Sequence, residues 1–349
     1  MSARISYAAA GLLAAVTLGL LAGAVAPALA QAPDTAAVDT LAPGPWKWGS
    51  KVGVGVTQSS YTSNWSGGDR GSMAWVLSGD VTAERQFTRK YRTTNRLALA
   101  YGQTSQQVPS SGDPNQLVWD EPIKSSDFIL FEHLSLFTLG GFVDPYFGFH
   151  MDTQFRDLSN PLGEIMFNPI KLKETIGVAR VIEKSEKSEF ITRFGFGLRQ
   201  TFGQSFTDAV TLEKESFTSN DGGFEWQTTM KQPLLKERVL YEGGLLVFAP
   251  LFYSKSDALQ QFDELDLLDE DVADYWQVPD VNFINSFTTN VTKVITVNLL
   301  MHFVYDKFDT KANVDAALSS GTPDEIARNI RKAGQFKEVL SLGLTYSFF

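Results

Sequence analysis

The sequence predicts an all-β protein, a single antiparallel transmembrane β-barrel of about twelve strands. Three observations predict it. First, the last fourteen residues alternate strictly. Leu340, Leu342, Leu344, Tyr346 and Phe348 fall on one side and Lys337, Ser341, Gly343, Thr345 and Ser347 on the other. A two-residue period is a strand whose two faces meet different solvents. A terminal strand that is apolar on one face and ends in aromatics is what closes an outer-membrane barrel. Second, the chain is 43% hydrophobic with 26 Phe and 28 Gly. Its mean hydropathy is only -0.10. Beyond the N-terminus, no apolar run approaches the roughly 20 residues of a spanning helix. Third, short and long connections alternate along the chain, as they do when hairpins cross a bilayer.

Composition excludes several classes. A net charge of -10 over 349 residues argues against a nucleic-acid binder, which carries a basic stripe. With no cysteine there is no disulfide, thiolate metal site, Cys nucleophile or lipoprotein anchor. Three histidines give little basis for a multi-histidine metal site. No metal or other cofactor is expected.

The N-terminus reads as an export signal. Arg4 supplies the positive region, Ala8 to Ala26 is apolar, and Ala28-Leu29-Ala30 is a small-residue cleavage site. Residues 1–30 are therefore expected to be removed, with cleavage near Ala30. Residues 31–45, rich in Ala, Pro, Thr and Asp, form a flexible periplasmic lead. The barrel occupies 46–349.

The strands follow in order. Trp46-Lys47-Trp48-Gly49 opens the first, where Val52, Val54 and Val56 alternate with Lys51, Gly53 and Gly55. The two Trp suit a membrane interface. The second runs from about Gly71 to Phe87, with Met73, Trp75, Leu77 and Val81 opposing Ser78, Asp80, Thr82 and Glu84. In the third, Leu97, Leu99 and Tyr101 alternate with Arg96, Ala98 and Ala100. The fourth, to about Leu139, carries Glu132 and His133 side by side, which predicts a bulge there. The fifth holds Phe147, Phe149 and Met151 against Gly148, His150 and Asp152. Lys171 to Glu183 is the sixth. In the seventh, Phe190, Phe194, Phe196, Leu198 and Phe202 oppose Arg193, Gly195, Gly197, Arg199 and Thr201. Gly223 to Gln232 is the eighth, with a turn starting at Pro233. The ninth ends at Tyr253 with Glu242 on its polar face. Val281 to Thr292 is the tenth. In the eleventh, Ile295 to Tyr305 is apolar at odd positions, against Thr296, Asn298, His302 and Asp306. The last fourteen residues, Phe336 to Phe349, are the twelfth.

Short turns are expected near Arg89, Gly140, Glu186, Pro233 and Asn290. Long loops are expected at about 59–70, 105–122, 156–169, 203–221, 254–274 and 309–335. This pattern puts both termini in the periplasm and the long loops outside the cell. Two loops have helical signals. Thr322-Pro323-Asp324-Glu325 looks like a capping box, and Leu259, Phe262, Leu265 and Leu268 recur after Ser256.

Certain motifs also stand in a familiar order: Trp46 to Gly49, Asn64-Trp65-Ser66-Gly67-Gly68, Leu97 to Gly102, Ser126-Asp127-Phe128, Tyr305-Asp306, and Lys337 to Phe348. In that order and spacing the chain resembles the outer-membrane β-barrel family of unknown function numbered 3078, found chiefly in Bacteroidota and relatives. Gly203 to Tyr275 holds no such motif. The resemblance implies an outer-membrane location and this fold. It supplies no activity and carries over no catalytic residue.

The inward polar face is expected to hold Lys51, Asp80, Glu84, Arg96, His150, Asp152, Arg193, Arg199, Glu242, His302 and Asp306. Both signs are present. Such a lumen could select small polar solutes passing through it, as charged rings do in pores. Equally, the charges could pair and plug it. Twelve strands enclose a bore between the filled eight-stranded case and the aqueous sixteen-stranded one, so geometry alone does not choose. His150 with Asp152, and His302 with Asp306, share faces as embedded hydrolase groups would. They equally suit a lumen hydrogen-bond network. No G-x-S-x-G occurs and no spacing sets a Ser nucleophile beside a His, so an enzyme is not expected. Asp257 to Asp274 is strongly acidic without the EF-hand pattern, and reads as a solvated loop. Asn64 to Gly68 reads as a tight turn with an interfacial Trp. The readings are then a passive pore for small polar solutes, or a closed barrel whose outer loops bind partners, with a membrane-embedded hydrolase as a distant third. The expected partners are outer-membrane lipid, the barrel-assembly machinery and small polar solutes, with no nucleic acid.

Overall fold

A computed structural model describes residues 42–59, 70–112, 116–160, 162–185, 188–206, 210–264, 272–292, 295–310, 313–315, 317, 330 and 334–348. The export signal, most of the lead, Asn64 to Gly68, the Thr322 capping box and Phe349 lie outside them. The elements are β1 (Lys47–Ser59), β2 (Ser72–Thr88), β3 (Tyr91–Pro109), β4 (Leu117–Trp119), β5 (Ile123–Phe137), β6 (Asp144–Thr153), β7 (Arg156–Asp157), β8 (Ile165–Met166), β9 (Ile170–Lys184), β10 (Glu189–Phe206), β11 (Lys214–Leu234), β12 (Val239–Tyr253), β13 (Asp280–Asn290), β14 (Ile295–Tyr305) and β15 (Gln335–Phe348). One helix, α1 (Ser256–Glu264), and a 3-10 turn (Val272–Gln277) lie between β12 and β13.

Twelve of these strands are long, and all their pairings are antiparallel. The order runs β1, β2, β3, β5, β6, β9, β10, β11, β12, β13, β14, β15, and β15 pairs back onto β1. Every long strand therefore has a partner on each side over at least part of its length, as a closed sheet in a bilayer requires. The closing ladder is short, running from Ser50 opposite Phe348 to Val54 opposite Leu344. The small strand β4 adds to the long-loop end of β3, and β7 with β8 forms a separate hairpin.

The side-chain distribution is inverted relative to a water-soluble sandwich. Trp48 and Val56 are each 63% exposed, Ile176 61% and Phe194 53%, all on the outer face. On the inner face Arg96 is 4% exposed and Glu225 3%. An apolar exterior of this extent is stable only against lipid. At the short-turn end the outer face carries a run of rings. Trp46 meets Phe87 edge-on at 5.8 Å, Phe87 stacks on Tyr91 at 5.6 Å, and Tyr91 stacks on Phe137 at 4.9 Å. Such rings settle at the membrane–water boundary.

Three expectations are corrected. The bulge of β5 is not at Glu132 and His133. The register against β3 slips between Gly102 and Gln103, whose partners are Ser126 and Lys124, so Ser125 is the extra residue. Inward Glu132 and outward His133 simply follow the alternation. The eighth long strand, β11, begins at Lys214 rather than Gly223, because β10 and β11 pair all the way to Phe206 opposite Lys214. The connection there, expected to be long, shrinks to residues 207–213, so it breaks the strict short-long rule. Finally, Pro233 does not start a turn. It pairs with Leu240, past the last β10 pair (Glu189 with Lys231), where β11 has a neighbour on one side only. The turn itself is Leu235 to Arg238, with Leu235, Lys236 and Glu237 all at positive φ.

The expected short helix after Ser256 is present as α1, although Leu265 and Leu268 of that reading lie outside the described residues. Leu259, Ala273 and Tyr275 from this loop pack with Tyr253, Phe308, Val314 and Ala317 into a buried cluster at the long-loop end of the barrel.

Candidate functional site in the barrel lumen

Inward positions of neighbouring strands lie side by side, so charges in register pair along the wall. Arg96 on β3 donates to Asp80 on β2, from Nε at 2.9 Å and Nη2 at 2.6 Å, and to Glu132 on β5 from Nη1 at 3.1 Å. Glu132 in turn faces His150 Nδ1 at 3.6 Å. Lys51 lies directly opposite Asp80 in the ladder. One level toward the short turns, Glu84 meets buried Arg92 at 3.4 Å. On the far wall Lys173 donates to Glu225 at 2.5 Å, spanning the strand between them. Arg199 on β10 donates to Asp221 on β11 at 2.7 Å and to Asp280 on β13 at 2.6 Å, and its guanidinium lies 3.8 Å from the centre of the Phe248 ring. Arg193 lies 5.8 Å from the Tyr146 ring centre. Glu242 meets Lys231 at 3.6 Å, and His302 Nε2 is 2.9 Å from Asn282 Oδ1. Asp306 follows the last residue of β14, at the long-loop mouth.

These pairs run round the wall between strands and leave space at the centre. A cavity of about 340 Å3 lies within the lumen. Residues of nine strands line it, among them Arg96, Glu132, His150, Asp152, Arg193 and His302. On the short-turn side Leu134, Leu136, Tyr146 and Ala179 form an apolar cluster against one wall. Glycines make room for it, since a Cβ on Gly195 would come 2.9 Å from the Tyr146 hydroxyl.

On the long-loop side, chain from the β14–β15 connection crosses the mouth. Asp309 accepts from Lys171 at 3.2 Å, Thr310 O from the Ser219 hydroxyl at 2.7 Å, and Ser205 Oγ from Asn313 Nδ2 at 2.9 Å. Lys255 is bound to Asp315. This segment is thus tied to β9, β10, β11 and the start of the α1 loop.

Sequence reading missed Glu132, Lys171, Lys173, Glu225, Asp221 and Asp280. Asp221 falls in a stretch that reads as loop from its spacing but is strand, and the adjacency of Glu132 and His133 hides the phase of β5. The signal was nonetheless there: once Phe131 and Phe137 are set outward, Glu132 must face in. The proposed pairs His150–Asp152 and His302–Asp306 are not hydrogen-bonded pairs here. His150 faces Glu132 and His302 faces Asn282. Contrary to the expectation from spacing, a serine does lie beside a histidine. His133 Nε2 is 2.9 Å from Ser135 Oγ, on the outer face of the barrel. Among the described residues no group of three or more potential metal-ligating side chains comes together.

Fold and surface together define a transmembrane β-barrel with a polar, charge-lined interior. No family model matches the chain, and no curated protein matches it. Solved structures similar to it include the translocator domain of the autotransporter NalP from Neisseria meningitidis. That similarity has 8% identity, covers 89% of this chain and 91% of that one, and has a TM-score of 0.35. An outer-membrane channel from Pseudomonas putida F1 is 11% identical, over 88% and 96% of the two chains, with a TM-score of 0.35. The β domain of the Bordetella autotransporter BrkA is 10% identical, over 88% and 98%, with a TM-score of 0.30.

Proposed function

We propose that the protein is an outer-membrane barrel that passes small polar solutes through its lumen, and that the conformation described here is closed at the outer mouth. Both termini and the short turns then lie in the periplasm. The partners are outer-membrane lipid, the machinery that inserts the barrel, and the solute. The observation that carries this reading is the cavity lined from nine strands by groups of both charges. Such a wall can replace the hydration of small polar molecules and discriminates weakly by sign, and a cavity of this size has room for water beside the solute, which keeps the barrier low. The chain crossing the mouth, held by Lys171, Ser205 and Ser219, acts as the gate.

Planar-bilayer recording tests it. The chain has no cysteine, so a Ser205→Cys/Asn313→Cys pair would be the only thiols. The expected result is low conductance in the unaltered protein, higher conductance in Lys171→Met/Asn313→Ala, and conductance suppressed by oxidation of the double cysteine variant and restored by reduction. Currents at background in all of these would sink the pore reading. They would favour the second one, a closed barrel whose outer loops bind partners, to which the many bonds across the mouth also lend support.

A further inference from the structure

The outer face carries a polar group that the pore reading does not use. His133 and Ser135 are two apart on β5, so both point outward. Asn95 lies directly opposite His133 on β3. Asn95 Nδ2 is 3.5 Å from the Ala83 carbonyl, to which it donates, so its Oδ1 faces the ring. His133 Nδ1 lies 2.8 Å from that Oδ1 and must carry the proton, because the amide oxygen only accepts. Nε2 is then unprotonated and accepts from the Ser135 hydroxyl at 2.9 Å. Tyr91 donates to Ser135 Oγ at 3.2 Å.

This is a nucleophile hydrogen-bonded to a base, with the base fixed in tautomer and orientation by a third group. A further observation points the same way. Thr93 lies directly opposite Ser135 in the register and is 4% exposed. Its hydroxyl has no hydrogen-bond partner among the described residues. A buried, unspent donor beside a nucleophile is what an oxyanion site requires. By contrast, Thr192, Thr228 and Trp226 form a second outward polar cluster, bonded at 3.1 and 2.9 Å, that contains no base. Mutual satisfaction of polar groups facing lipid explains that cluster fully. It leaves the unspent Thr93 hydroxyl unaccounted for.

We propose that this outward group is an acyl-ester hydrolase site acting on glycerolipids of the surrounding membrane. Depth selects the substrate. Ser135 is two residues, about 7 Å along the strand, from Phe137 in the interfacial ring run. Just inside that boundary is where the acyl esters of a glycerolipid lie, in the leaflet next to the short turns. Ser135 Oγ attacks the ester carbonyl and its proton passes to His133 Nε2. The tetrahedral oxyanion is held by the Thr93 and Tyr91 hydroxyls. Its collapse breaks the ester C–O bond, and the departing lysolipid alkoxide takes the proton from His133. Water, deprotonated by His133, then cleaves the acyl-serine, releasing a fatty acid and returning the proton to Ser135. The net reaction is ester plus water to acid plus alcohol. Ser135 is itself buried, 4% exposed, so the surrounding side chains must give way for an ester to reach it.

The test uses the full-length folded barrel in mixed micelles with diacyl phosphatidylglycerol, measuring fatty-acid release. A long-chain alkyl fluorophosphonate is used to label the protein, with the adduct mapped by mass spectrometry. Expected are release by the unaltered protein, an adduct on Ser135, and loss of roughly 1000-fold or more in Ser135→Ala and His133→Ala. Asn95 is a positioning residue. Asn95→Ala should lose roughly 100-fold in kcat with KM little changed, and Asn95→Asp should restore activity with an altered pH profile. Thr192→Ala should match the unaltered protein. Heat-modifiable gel mobility shows that each variant is folded. If the folded, unaltered protein gives no adduct on Ser135, or if Ser135→Ala retains lipid hydrolysis, the proposal is overturned.

Discussion

Arg96 directs two of its nitrogens at a single oxygen of Asp80, Nε at 2.9 Å and Nη2 at 2.6 Å. Its remaining Nη1 reaches Glu132, so one buried cation serves two carboxylates on the strands either side. Arg96→Met would deprive both carboxylates of the guanidinium they share. Breaking a fully buried pair costs about 3–5 kcal/mol, but Asp80 and Glu132 keep 24% and 21% of their side-chain surface. About 2 kcal/mol of lost stability is therefore expected, read from urea unfolding in lipid vesicles. Asp80→Asn keeps a hydrogen-bond acceptor and should lose less. Equal losses would show that Arg96 acts through packing alone.

The Leu235–Arg238 turn is strained at named positions. Glu237 has φ 67° and Lys236 φ 57°, and neither is glycine. Left-handed backbone costs an L residue about 1–2 kcal/mol, and glycine avoids this at an entropic cost of about 0.5–1 kcal/mol. Glu237→Gly should thus gain about 0.5 kcal/mol, and Glu237→Val should lose about 1 kcal/mol or more, since branching at Cβ worsens the clash. Ranking the three proteins by urea midpoint checks this. Valine ranking above glycine would contradict the strain argument.

Alternation made most of the fold legible. Val52, Val54 and Val56 against Gly53 and Gly55, or Phe194 and Phe196 against Arg193 and Gly195, assign inside and outside with no tertiary information. The strand phase then carries every charged residue on those strands with it, which is why Arg96, Arg199 and His150 could be set inward. What alternation does not carry is register and partner choice. Arg199 reaches Asp280 because β13 lies three strands on around the wall, and Asp280 stands at the first position of its strand, where no period yet exists. Leu134 and Leu136 point inward against Tyr146, so an apolar residue on β5 is no guide to lipid. The outward group was hidden for the opposite reason. His133 and Ser135 are polar residues on the lipid side, and Asn95 is 38 residues from His133, brought opposite it only by the β3–β5 register.

The β7–β8 hairpin at the long-loop end is braced by Arg156, whose Nε donates to Glu164 at 2.8 Å and whose Nη1 reaches the Tyr101 hydroxyl at 3.0 Å. The hydrogen bond from Arg156 holds the Glu164 carboxyl below its ordinary value near 4.5. A depressed carboxylate contributes stability above its unfolded pKa and loses it as pH falls through the folded one. The hairpin should therefore stay intact from pH 7 to about 5 and loosen below about 4. Limited proteolysis with an acid-active protease would show cleavage within 154–169 rising in that window. In Glu164→Gln the rise should be absent because cleavage is already faster at neutral pH. A variant indistinguishable from the unaltered protein across that range would remove the brace from the account.

Among the described residues the closing ladder joins β1 to β15 through five residue pairs, against thirteen between β1 and β2, so each pair there is a large share of closure. The outermost is Ser50 opposite Phe348. In the sequence pattern Phe348 is the last apolar residue at an even position, and Phe349 falls outside that alternation. Removing Phe349 alone should leave assembly nearly unchanged. Removing Phe348 and Phe349 together deletes the Ser50 pair and the last in-phase aromatic, so the amount of folded barrel should fall severalfold. Folded protein in isolated membranes is scored by heat-modifiable mobility and normalised to total chain. Equal folded fractions for the two truncations would mean that closure is set by the Lys51 to Val54 pairs, and that the terminal aromatic is dispensable.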